Sequence, residues 1–93
     1  MADDSETVRV WLVERTYSDD EQNMIILTYA TTEGDRYFRK ERALTSFDDV
    51  RDTTAAVEVA PHNLGTVEEK TRREQYAAEA ERMRGQHAPD DVI

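Results

Sequence analysis

No cysteine occurs among the 93 residues. That excludes a disulfide framework, thiolate-held zinc, an iron–sulfur cluster and a cysteine nucleophile. Histidine occurs twice, at His62 and His87, too few and too far apart for the three close protein ligands of catalytic zinc. The three glycines stand at 34, 65 and 85 and cannot build a phosphate-cradling loop. Ser5, Ser18 and Ser46 are all the serines, and none sits in a Gly-x-Ser-x-Gly elbow. The acidic loop SDDEQN (18–23) lacks the alternating ligands and the glycine of a calcium loop. No apolar run approaches the roughly 20 residues that a bilayer span needs, and no repeat is visible. The chain therefore reads as non-enzymatic, with no catalytic residue, cofactor or metal expected.

Lysine is nearly absent as well: Lys40 and Lys70 stand beside ten arginines. Twelve basic residues face 21 acidic ones, a formal net charge of −9. Ten alanines and ten threonines against three isoleucines complete the pattern of a protein adapted to a high-salt cytoplasm. At molar salt the Debye length falls to about 3 Å, so the self-repulsion of the excess carboxylates is screened. The acidic opening MADDSE has no apolar core, so no signal peptide is expected and the compartment reads as cytoplasmic. A chain of this charge is repelled by nucleic acid as a whole; binding one requires a segregated basic face.

Three segments alternate with period two and predict strands. In TVRVWLVERTY (7–17), Val8, Val10 and Leu12 fall on one face and Arg9, Trp11, Val13 and Arg15 on the other. NMIILTYATT (23–32) is apolar on both sides, which suits a central strand. Glu33-Gly34 marks a tight turn. DRYFRKERAL (35–44) is heavily charged, which suits an edge or a half-exposed strand. Residues 45–53 predict a short helical turn capped by Ser46, and 54–60 a fourth strand, with a helix as the alternative. Thr66-Val67-Glu68-Glu69 has capping-box spacing and predicts a helix over 67–84, with Gly85 as its C-terminal cap.

That helix has a thin apolar stripe: Tyr76, Ala77, Ala80 and Met83. The fold class read from these elements is α+β, an antiparallel β-meander of three to four strands with a C-terminal helix packed on one face. It forms one domain over 1–93, with frayed tails at about 1–6 and 86–93. One thin helix leaves apolar sheet positions in excess, and the cheapest cover is a second copy of the chain. The expectation is a self-associating interaction module, a homodimer joined through Trp11, Val13, Tyr29 and Phe38. The alternative is a nucleic-acid-binding protein using the basic aromatic strand: Arg36, Tyr37, Arg39, Lys40 and Arg42, with Tyr37 and Arg39 on one face and Phe38, Lys40 and Arg42 on the other.

The runs VWLVERTYSDDEQN, LTYAT and RYFRKERALTSF resemble those of a group of small uncharacterised proteins from halophilic archaea. The likeness covers most of 8–60 and extends through the helix. It implies the habitat and the single domain, and it assigns no role to any residue.

Overall fold

The computed structural model describes residues 6–18, 24–43 and 53–93. Within them the period-two segments form an antiparallel sheet. Strands β1 (Val8–Ser18), β2 (Met24–Ala30) and β3 (Arg36–Ala43) follow one another as a meander. The segment 54–60 supplies a strand rather than a helix: β4 (Ala56–Val59) returns to pair with the outer side of β1. A two-residue strand, β5 (Gly65–Thr66), closes on the start of β3, giving the order β4-β1-β2-β3-β5. Helix α1 (Lys70–Gln86) packs across β1 and β2. The fold is α+β, as the patterning indicates. Among the described residues no helix is long and apolar enough to cross a membrane. The expected helical turn at 45–53 and the loop at 18–23 fall largely outside the described residues.

β2 takes the centre because it is the strand apolar on both faces. Ile25, Leu27 and Tyr29 are buried on one side, Thr28 and Ala30 on the other. The turn after it works as Gly34 suggests, with φ at +74°. Gly34 donates to the Thr31 carbonyl at 2.9 Å, and the Thr31 hydroxyl bonds the Asp35 carboxylate at 2.9 Å. The turn also abuts α1. A Cβ on Gly34 would fall 2.1 Å from the Arg73 carbonyl oxygen and 2.7 Å from the Ala77 nitrogen.

β1 departs from simple alternation. Leu12 stands opposite Tyr29 and Glu14 opposite Thr28, so Val13 has no partner in the ladder. This β-bulge inserts one residue, and every later side chain changes face. Arg15 and Tyr17 therefore share the face of Val10 and Leu12, not that of Trp11, correcting the alternation read from sequence.

The helix start is also different. Thr66 is held in β5 opposite Arg36, and the Val67 N–H donates to the Asp35 carbonyl at 2.9 Å. Val67 is buried in the core. A residue committed to the sheet cannot cap a helix, so the capping box does not form, and α1 begins after Glu69 without a side-chain cap. Arg73 reaches back instead, donating to the carbonyls of Val67 (3.1 Å) and Glu68 (2.8 Å). At the other end Gly85 is inside the helix, which runs one residue past it, and His87 is the C-cap. Ala80 and Met83 of the expected stripe are buried, and Tyr76 and Ala77 are half-buried.

The end of the chain, read from sequence as frayed, is tied down. Ala55 donates to the Asp91 carbonyl at 2.8 Å, Ala56 to Pro89 at 3.0 Å, and Ile93 to Thr53 at 2.9 Å. These bonds cover the edge beside β4, where unpaired N–H groups would otherwise face solvent. Ile93 packs against the core cluster.

Candidate binding surfaces

Cross-strand partners share a face, so the ladder sorts the side chains into two surfaces. The helix-bearing face carries Arg9, Trp11, Glu14, Thr28, Ala30, Tyr37, Arg39, Glu41 and Glu58. The opposite face, on which no helix lies among the described residues (the helix-free face), carries Val10, Leu12, Ile25, Leu27 and Tyr29, all buried, together with Arg15, Tyr17, Arg36, Phe38, Lys40 and Arg42.

On the helix-bearing face, α1 covers the end of the sheet near Trp11. Trp11 is 4 % exposed and belongs to the same core cluster as Ala80 and Met83. The uncovered end is a groove of about 400 Å³ with Ile26 and Thr28 in its floor, Tyr37 and Arg39 on one side, and Arg72 and Tyr76 on the other. Its cations are engaged. Arg39 pairs with Glu41 at 3.5 Å, and Arg72 pairs with Glu69 at 3.6 Å while lying 6.0 Å from the centre of the Tyr76 ring. Glu14, Glu68 and Glu69 also line the groove. The balance is acidic, which disfavours an anionic ligand. Neither histidine lines it; His87 lies 3.7 Å from the Asp91 carboxylate in the C-terminal segment. Among the described residues no group of three or more His, Asp or Glu could hold a metal ion.

The helix-free face is different in charge. Its strand positions hold four cations, Arg15, Arg36, Lys40 and Arg42, and no acidic residue. The strand carboxylates, Glu14, Glu41 and Glu58, are all on the opposite face, where Glu58 accepts bonds from Arg9 (2.5 Å) and the Thr7 hydroxyl (2.9 Å). These two donors hold the Glu58 carboxyl below its ordinary range. On the basic face Arg15, Arg36 and Lys40 are exposed, and Tyr17 is 66 % exposed. Arg15 donates to the main-chain oxygen of Ile93 at 3.5 Å. Arg42 is half-buried, and its Nε is buried with no hydrogen-bond partner among the described residues. Burial pushes the Tyr29 phenol above its ordinary value, and the charges of Arg42 and Arg15 pull it the other way. Both guanidiniums thus lie within Coulombic reach of that ring.

The residues singled out from sequence are divided by this arrangement. Tyr37 and Arg39 are in the groove; Arg36, Lys40 and Arg42 are on the basic face, the split that alternation gives for Phe38 and its neighbours. Of the four expected interface residues, Trp11 and Tyr29 are buried within the single chain on opposite faces; Val13 and Phe38 are half-buried. The Tyr29 and Phe38 rings pack at 6.3 Å. Trp11 and Tyr29 therefore lie in the core of the single chain rather than on its surface. Arg15 and Tyr17 were missed as members of the basic face because the bulge that turns them has no clear mark in a run of β-formers.

Comparison with curated proteins and with solved structures gives no match. A family model matches residues 4–93, nearly the whole chain, and the protein belongs to that family, DUF7967, a family of unknown function.

Proposed function

We propose that the protein is a non-catalytic binding module that holds single-stranded nucleic acid on its helix-free sheet face. The observation that carries this reading is charge segregation. In a chain of net charge −9, one sheet face gathers Arg15, Arg36, Lys40 and Arg42 with no carboxylate at its strand positions. A basic face of this kind lets a polyanion approach an acidic protein. The exposed guanidiniums of Arg15 and Arg36 offer paired N–H donors to phosphate oxygens. Tyr17, two-thirds exposed beside Arg15, supplies a ring on which a base stacks, and the open part of Phe38 supplies a second. Single strands suit the site better than a duplex, because an exposed aromatic beside cations stacks unpaired bases.

The test is fluorescence anisotropy of labelled oligo-dT and oligo-U from low to high KCl. Four phosphate contacts give a slope of log K against log salt of about −3, so binding weakens roughly 50-fold between 0.05 and 0.2 M salt. Lys40→Ala lowers the slope by about 0.7. Arg72→Ala, in the groove of the opposite face, leaves it unchanged. Absence of binding at low salt, or equal loss in Lys40→Ala and Arg72→Ala, overturns the reading.

A further inference from the structure

We infer that β3 pairs edge to edge with β3 of a second copy of the chain, related by a twofold axis through Lys40. β5 covers only the first two residues of β3, Arg36 and Tyr37. Beyond Tyr37, among the described residues, the outer edge of β3 has no ladder partner. The hydrogen bonds fix which groups point outward. Thr31 donates to the Arg36 carbonyl at 3.1 Å, so Arg36 faces β2, and by alternation so do Phe38, Lys40 and Arg42. Asp35 accepts from Val67 at 2.9 Å on the other side, in the same phase. Arg39 and Glu41 therefore turn their N–H and C=O groups to the open edge.

Few twofold registers are available to this edge. An axis through Arg39 sets Glu41 against Tyr37 of the second copy, whose outward groups already bond β5. An axis through Glu41 sets Glu41 against Glu41 and Lys40 against Arg42, both like-charged. An axis through Lys40 sets Arg39 against Glu41 of the second copy, twice by symmetry. These are hydrogen-bonding positions with opposite charges. The same register sets Phe38 against Arg42 of the second copy, a cation over an aromatic ring. The one unfavourable pair is Lys40 with its own copy. The edge's charges, which discourage random strand addition, are complementary to themselves in this register alone of the three.

Pairing makes one continuous sheet and joins the two basic faces, with Lys40 of each copy adjacent at the axis. That joined face matters for function only if the nucleic-acid reading holds; the pairing does not depend on it. The like-charged lysines and the net charge of −9 per copy make the pair stronger as salt rises.

Light scattering without nucleic acid tests it. Short edge contacts are weak, so the protein is taken to about 1 mM in about 1 M KCl. The expected mass approaches twice 10.8 kDa. Arg39→Glu returns it to the single-chain value, and Arg39→Glu combined with Glu41→Arg restores the doubled one. Glu41→Pro removes an outward N–H while leaving the bonds to β2, and also gives the single-chain mass. Circular dichroism verifies that each variant is folded. A single-chain mass for the wild type, a folded Glu41→Pro that stays paired, or a folded charge swap that fails to restore pairing overturns the inference. Oligonucleotide binding by the unpaired Glu41→Pro protein keeps the two proposals separable.

Discussion

Gly34→Ala is the sharpest probe of how the sheet and helix are joined. The substitution adds one methyl group at a residue with φ of +74°, where a side chain costs about 1–2 kcal/mol. The methyl would lie 2.1 Å from the Arg73 carbonyl oxygen and 2.7 Å from the Ala77 nitrogen. Both are helix backbone atoms, so no rotamer change relieves the overlap. The turn and α1 must separate by about 1 Å, and a gap of that size forfeits up to half of each dispersion contact it opens. Over the contacts around Ala77 and Ala80 that adds about 1–2 kcal/mol. The expected total, about 3 kcal/mol, lowers Tm by about 12–24 °C in a domain of this size. Trp11 is buried in the cluster that α1 completes, so its fluorescence reports the loss directly, with far-UV circular dichroism as a second probe. Gly85→Ala is the control: it lies in the helix with nothing within 4 Å of the added carbon and should stabilise by about 0.5–1 kcal/mol. A Gly34→Ala protein that loses less than about 1 kcal/mol refutes the close approach of turn and helix.

Other outcomes follow from the same structure. Stability should rise steadily with KCl, seen as a rising urea midpoint, because salt screens the net charge of −9; a flat dependence would argue against repulsion as a main destabilising force. Glu58 has its folded-state pKa lowered by Arg9 and Thr7, so its contribution is present above the ordinary carboxylate range and is lost as pH falls through the lowered value. Glu58→Gln should flatten that part of the acid limb, by less than about 1 kcal/mol for a pair this exposed. Trp11→Ala should cost about 3–5 kcal/mol in denaturant unfolding, since it empties a site covered on both sides.

Much of the fold is legible because it rests on period. β2 alternates with large apolar residues on both faces, and only a central strand gives both a place to be buried. The Glu33-Gly34 turn is legible because positive φ is a glycine conformation. The helix start misleads for a physical reason: Thr66-x-x-Glu69 meets the local requirement for a cap, but Thr66 gains a ladder with Arg36 and Val67 a place in the core. Two tertiary interactions outweigh one capping bond. The tail misleads similarly, since QHAPDDVI looks polar while its backbone supplies the partners that the β4 edge lacks. The basic character of Arg36–Arg42 is visible in the sequence. Its separation from the acids is not, because it depends on which strand pairs with which and in what register.

The single residue Val13 decides that separation. Counted by twos from Leu12 without a bulge, Glu14 would join Tyr29 and Lys40 on the helix-free face, and Arg15 would cross to the acidic one. With Val13 outside the ladder, Glu14 stands opposite Thr28 and Arg15 opposite Leu27, so the acid leaves the basic face and the cation enters it. The two accounts differ in what deletion of Val13 does. If Val13 were a paired residue, removing it would slip Glu14–Ser18 by one position against β2 and put each side chain on the wrong face, a change a half-buried sheet does not tolerate. Since Val13 is the extra residue, its deletion should close the bulge and leave both halves of β1 in register. The expected loss is about 1–2 kcal/mol, the burial of one half-exposed valine plus the local change of twist. Oligonucleotide affinity should stay within about threefold, because Arg15 and Tyr17 keep their face. An unfolded deletion variant would show that the bulge is not what sets the register, and the segregated face would lose its structural basis with it.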